Sequence, residues 1–201
     1  MKKYIIIVFL ILLSCDSVPA QNDPCLKSGN PDFKGYKIRD FWQITAQGGF
    51  MVPVGKYMTD NYYNSGIIGA DVTYKVNTEV ALFGEVQYIM LSPKDTLGPS
   101  QGYLNINVGP RVYFRPKCYR SSFFLEAGVG PFVHFQSSYS TPDGYFDSNT
   151  EIRMGANAGI GGELVLTNSL FITLKCKINS IFYQFGSTTF MSSIGGFTIR
   201  L

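Results

Sequence analysis

The sequence has little charge, one histidine, one tryptophan and, beyond its first twenty residues, no long apolar run. Lys, Arg, Asp and Glu make up 15% of the 201 residues, against about 25% in ordinary soluble proteins. Seventeen basic residues face fourteen acidic ones, too even a balance to hold nucleic acid or another polyanion by charge. After residue 20 nothing approaches the ~18 apolar residues of a membrane helix, so a helical membrane anchor in that region is excluded. A strand-to-helix nucleophile elbow, His-Glu-x-x-His and Cys-x-x-Cys are all missing. Hydrolase chemistry and a metal centre therefore lack their usual residues, and no cofactor is expected.

What is present begins with residues 1–20. Lys2 and Lys3 precede the apolar run from Tyr4 to Leu13, and Val18-Pro19-Ala20 forms a small-residue cleavage site before Gln21. This is the pattern of a cleaved secretory signal peptide. Leu12-Leu13-Ser14-Cys15 also fits a lipobox, which would place a lipid on Cys15 instead. Residues 21–40 are rich in Asn, Asp, Pro, Gly and Lys without a period, and read as a periplasmic lead-in. Residues 41–201 are long enough for one domain.

In that domain, apolar and polar residues alternate with the period of two that strands impose. The expected strands are 41–54, 66–76, 79–91, 102–115, 121–136, 151–167, 169–184 and 190–201. Short links at 77–78, 116–120 and 168 interleave with longer ones at 55–65, 92–101, 137–150 and 185–189. In 169–184 the even positions hold Leu170, Ile172, Leu174, Cys176 and Ile178, and the odd ones Thr173, Lys175, Lys177 and Asn179. The other strands divide likewise, and every strand charge falls on the polar parity. The prediction is all-β: an eight-stranded antiparallel up-and-down transmembrane β-barrel.

Alternation alone allows two opposite molecules. A soluble periplasmic binder of the lipocalin kind would turn its apolar parity inward around a ligand; a membrane barrel turns it outward to lipid. Three features favour the second. Apolar-parity aromatics sit near strand ends, with Trp42, Tyr74, Phe114 and Phe123 at one end and Tyr88, Phe135 and Phe182 at the other, where rings meet headgroups. The strands match the ~9–11 residues needed to cross a bilayer tilted. Phe197, Ile199 and Leu201 continue the alternation through the last residues.

The signal peptide, the first strand "ITAQGGFMVPVGKY", the Gly-rich aromatic strands and the terminal "GGFTIRL" resemble the small outer-membrane β-barrel family of OmpX-like proteins and OmpA-like transmembrane domains. The resemblance spans residues 40–201. It implies residence in outer-membrane lipid, insertion by the barrel assembly machinery, a monomer and no enzymatic activity. Family members usually end in an aromatic residue, and Leu201 departs from that.

Eight strands leave an interior that side chains fill. The polar parity should place Asp71, Glu85, Arg111, Glu126, Glu163, Lys175 and Lys177 there as a charge network, because buried charges must be paired. Lys75, Glu79, Arg115 and Arg153 share that parity. Hairpin geometry suggests Arg111 with Glu126 and Glu163 with Lys175. A plugged lumen is the expectation and an ion path the alternative. His134, in "HFQSS", has Gln136 where a lipid A deacylase resembles His-x-Ser, so it reads as a hydrogen-bonding residue of the lumen or rim. "GVGPFV" and "GIGGEL" open no helix and give no nucleotide site. Cys25 and Cys118 both fall on the oxidising periplasmic side and form a candidate disulfide, while Cys176 faces lipid. The loop segments "KYMTDNYYNSG" and "SSYSTPDGYFDSNTE" carry the Tyr, Asn and Ser suited to a surface protein or glycan ligand.

Overall fold

A computed structural model describes residues 41–76, 79–94, 99–114, 121–141, 144–166, 169–184 and 186–201. The signal peptide, the lead-in, Cys25, Cys118 and Arg115 lie outside the described residues. The elements are β1 (Phe41–Pro53), α1 (Lys56–Asn61), β2 (Tyr62–Lys75), β3 (Val80–Pro93), β4 (Gln101–Phe114), β5 (Ser121–Gln136), β6 (Tyr139–Thr141), β7 (Gly144–Phe146), β8 (Asn149–Val165), β9 (Leu170–Tyr183) and β10 (Gly186–Arg200). Eight of these strands pair antiparallel with their neighbours in sequence. β1 pairs with β10 from Gln43↔Arg200 to Pro53↔Phe190, which closes the barrel. Closure removes the open edges that a sheet would otherwise offer to other chains. β6 and β7 form a separate two-stranded ribbon in the link between β5 and β8.

One end of the barrel has tight turns, with Val76 N–H donating to Val80 O at 3.1 Å and Leu166 N–H to Leu170 O at 2.9 Å. The other end has the longer connections. There the strands reach further than the alternation predicts. β2 begins at Tyr62, β8 at Asn149 and β10 at Gly186, so the expected link 185–189 is largely strand and Gly186 already pairs with Tyr183. These segments are polar on both faces, so they carry no period to read, and the ladder to a longer neighbour extends them. A register shift between Tyr63 and Gly66 bends β2. There Ser65 Oγ accepts from Ser92 N–H at 3.1 Å and donates to Tyr63 O at 3.0 Å, standing in for ladder bonds. α1 has no helical period in the sequence; its six residues are held by burial of Met58, which is 0% exposed.

Sidedness is decided side chain by side chain. Ile44, Ile68, Leu82, Val108, Val129, Leu174 and Ile178 face outward and are exposed. Asp71, Glu85, Arg111 and Lys177 face inward and are buried. A soluble binder of the lipocalin kind needs the reverse, and the structure overturns that reading.

Candidate functional site: the lumen and the loop end

The lumen is filled in three tiers. Nearest the tight turns, Lys75 Nζ meets Glu163 Oε2 at 3.4 Å and lies 3.7 Å over the Tyr113 ring, whose hydroxyl donates to Glu163 Oε1 at 2.8 Å. In the middle, Arg111 Nη2 reaches Asp71 Oδ2 at 2.6 Å and Glu126 Oε2 at 2.7 Å, while its Nη1 donates to Thr73 Oγ1 at 2.9 Å. Lys175 Nζ bonds Asp71 Oδ2 at 3.1 Å and Glu85 Oε1 at 2.5 Å. Lys177 pairs with the other Glu85 oxygen and lies 3.6 Å from Glu126 Oε1. Among the described residues the buried charges are Asp71, Glu85, Glu126 and Glu163 against Lys75, Arg111, Lys175 and Lys177. The signs balance, four against four.

The register corrects one expected pair. Glu163 lies opposite Thr173, and Lys175 opposite Gly161. In so narrow a barrel a long side chain spans the lumen, so Glu163 finds Lys75 of β2 and Lys175 finds Asp71 and Glu85 rather than a hairpin neighbour. Arg111 does sit opposite Glu126 in the ladder. Glu79 is exposed, and Arg153 is half-buried at the rim beside Glu151, at 3.0 Å.

The third tier was not legible in the alternation. Met51, Met58, Tyr62, Ile67, Ile89, Leu91, Tyr103, Phe132, Ile181 and Phe190 form one buried cluster at the loop end. Apart from Met58 on α1 and Tyr62, which the register shift between Tyr63 and Gly66 turns inward, they occupy the polar parity. The missed signal was this breach of alternation, which is densest in the loop-end halves of strands and recurs near the tight turns at Phe83, Tyr113 and Phe124. The cluster is an apolar stopper with α1 laid across it.

No family model and no curated protein matches the chain by sequence. Solved structures do resemble it. Neisserial surface protein A aligns with a TM-score of 0.62 at 9% identity, covering 80% of this chain and 97% of that one. The N-terminal β-barrel domain of Pseudomonas aeruginosa OprF gives 0.52 at 13% identity, over 81% and 100%. Ail, the attachment invasion locus protein of Yersinia pestis, gives 0.52 at 12%, over 81% and 97%. The fold is that of the small outer-membrane β-barrels.

In such a barrel the exposed rings mark the two interfaces. Trp42, Phe114 and Phe123 are exposed at the turn end, and Tyr88, Phe135 and Phe182 at the loop end. Trp42 packs on Tyr74 with ring centroids 4.8 Å apart. Cys176 is half-buried on the outer face, 3.6 Å from Ser193 Oγ. His134 Nε2 hydrogen-bonds Gln101 Oε1 at 3.1 Å, an oxygen that also accepts from Tyr62 Oη at 2.6 Å. Gly98-Pro99-Ser100-Gln101-Gly102 fits the letters Gly-x-Ser-x-Gly, which sequence reading passed over. It leads into β4 rather than a helix, and Ser100 O accepts from Ser137 N–H at 3.0 Å, so no nucleophile elbow forms. Exposed Tyr57, Tyr63, Tyr145 and Phe146 lie in the loop-end segments.

Proposed function

We propose that the chain is a non-enzymatic integral protein of the outer membrane, reached through a cleaved signal peptide, whose loop end makes contacts outside the cell. The observation that carries this reading is the opposite sidedness of charge and oil around a lumen stoppered at its outer end. A lumen with balanced, paired charge and an apolar stopper does not serve as a pore. The chemistry left exposed is the Tyr- and Asn-bearing loop end, suited to a surface protein or a glycan. Ail has been solved with the heparin analogue sucrose octasulfate, which supports surface contact as a use of this fold. Membrane lipid, the assembly machinery and a monomeric state complete the proposal.

Cell fractionation tests it. The protein should remain in detergent-extracted outer membrane, migrate faster on gels before boiling than after, and give no steady conductance in planar bilayers. Recovery in the soluble periplasm, or channels of uniform size, overturns it.

A further inference from the structure

The short helix α1 is lightly anchored for an element that covers the stopper. Six residues are too few to hold a helix in water by themselves. Its N-terminus has no side-chain cap, and Met58 is its one buried residue. What keeps it in place is attachment at its two ends. Before it, Gly55 N–H donates to Thr189 O of β10 at 3.1 Å; at its last residue, Asn61 O accepts from Lys94 N–H at 2.9 Å. Lys94 Nζ also donates to Thr59 O at 2.5 Å. Directly after the helix, Tyr62 turns into the stopper, and its hydroxyl donates to Gln101 Oε1 on β4 at 2.6 Å.

That last tie includes an ionisable group. His134 Nε2 shares the same Gln101 oxygen at 3.1 Å, and the His134 and Tyr103 rings have centroids 4.8 Å apart. Tyr103 Oη in turn meets Tyr183 Oη at 3.2 Å. The charged groups on the far side of His134 are Glu151, its partner in the β5–β8 ladder, and Arg153, 3.0 Å from Glu151. His134 therefore stands between two strands of different character. β4 offers it a neutral amide and a ring, and β8 offers a carboxylate whose side chain is 40% exposed.

We infer that α1 is an acid-released lid: protonation of His134 loosens the tie between Tyr62, Gln101 and His134 and lets the helix lift from the stopper. The neutral ring donates from Nε2 to Gln101 and keeps a lone pair at Nδ1. A second proton, at Nδ1, makes the ring a cation with a new donor to satisfy, and a cation half-buried among neutral groups is costly. Glu151 draws that charge toward β8 and water, away from Tyr103 and Gln101. Gln101 then loses one of the two donors that fix its amide, and Tyr62 loses a fixed acceptor. Histidine ordinarily changes charge between about pH 5 and 8, so the lid is closed at neutral pH and released as pH falls through that range. The inference needs the barrel and its stopper, not the surface-contact reading.

Amide hydrogen exchange of the whole protein in lipid nanodiscs tests it, read as protection factors so that the intrinsic pH dependence of exchange cancels. From about pH 7.5 to about pH 5.5, protection across residues 57–62 should fall about tenfold. Heat-dependent gel mobility and protection within the membrane-spanning strands should stay unchanged. His134→Gln keeps a neutral N–H donor and cannot titrate, so its residues 57–62 should stay equally protected at both pH values. Tyr62→Phe cuts the tie, so α1 should already exchange at the low-pH level when the pH is neutral. No fall in the parent, or an equal fall in His134→Gln, overturns the lid. So does a loss of protection that spreads through the membrane-spanning strands, because acid would then be loosening the barrel rather than releasing the helix.

Discussion

Arg111 carries five N–H donors on a rigid plane, and the lumen uses that geometry. The guanidinium bridges Asp71 and Glu126, donates to Thr73 and stacks 4.4 Å from the Phe124 ring. A lysine at this position could not hold both carboxylates and the ring at once. Replacing Arg111 by Met leaves Asp71 and Glu126 buried with too little positive charge. Breaking one side of a buried ion group costs about 3–5 kcal/mol, and urea unfolding of Arg111→Met in lipid vesicles should show a loss of that size. Adding Glu126→Gln restores the balance of signs, leaving Asp71 to Lys175 and Glu85 to Lys177. The double variant should therefore be more stable than the single one, although it lacks one more charged group. A further drop in the double variant would mean that Glu126 contributes through something other than its pairing with Arg111.

At the scale of strands, inward glycines on β8 make room for aromatic rings from the neighbouring strand β5. A Cβ on Gly155 would lie 2.4 Å from Phe132 Cε2, and one on Gly161 2.3 Å from Phe124 Cζ. By contrast, a Cβ on the outward Gly84 meets nothing within 4 Å. Overpacking of this kind costs typically about 1–3 kcal/mol. Gly155→Ala and Gly161→Ala should each lose about that much in the same unfolding measurement, while Gly84→Ala should stay within about 0.5 kcal/mol of the parent. The sequence shows these glycines as strand residues but not which rings they accommodate, since the ring arrives from β5. The same limit explains what else was and was not legible. Where one face meets lipid and the other a polar lumen, as from Ile172 to Ile178, the alternation is clean and the strand and its facing can be read directly. Above the lipid both faces are polar, so the loop-end extension of β2, β8 and β10 left no mark. Inside the stopper both parities are apolar, so Met51, Ile67, Phe132 and Phe190 looked like noise. The charge network was legible as a set, because burial demands pairing. Of its partners the cross-strand pair Arg111 and Glu126 was legible, but that of Glu163 was not, because a lumen this narrow lets Glu163 reach Lys75 across the barrel.

The whole molecule combines two closures that do different work. Strand pairing closes the wall, and the apolar cluster closes the loop end of the lumen. Below the cluster the interior is polar: Gln47, Gln87, Asn105, Asn107, Asn157 and Asn179 are all buried, and several of their amide atoms have no protein hydrogen-bond partner. Such groups are satisfied in native proteins by protein or ordered water, so this zone is the part of the lumen most ready to take up water if the stopper is removed. Met51, Phe132 and Phe190 are each at most 1% exposed, with the Phe132 and Phe190 rings 6.4 Å apart. Truncating all three to alanine removes the stopper while leaving the ion pairs of the middle tier in place. A reporter cysteine at Gln87, in a background without native cysteines, distinguishes the two states. With the stopper intact, a membrane-impermeant maleimide added from the loop side should leave that cysteine unmodified. With the stopper truncated, modification should speed up by at least about tenfold, the change expected when a closed site becomes open at a cost lower by about 1.4 kcal/mol. Equal rates in the two proteins would mean that Met51, Phe132 and Phe190 do not form the seal above Gln87.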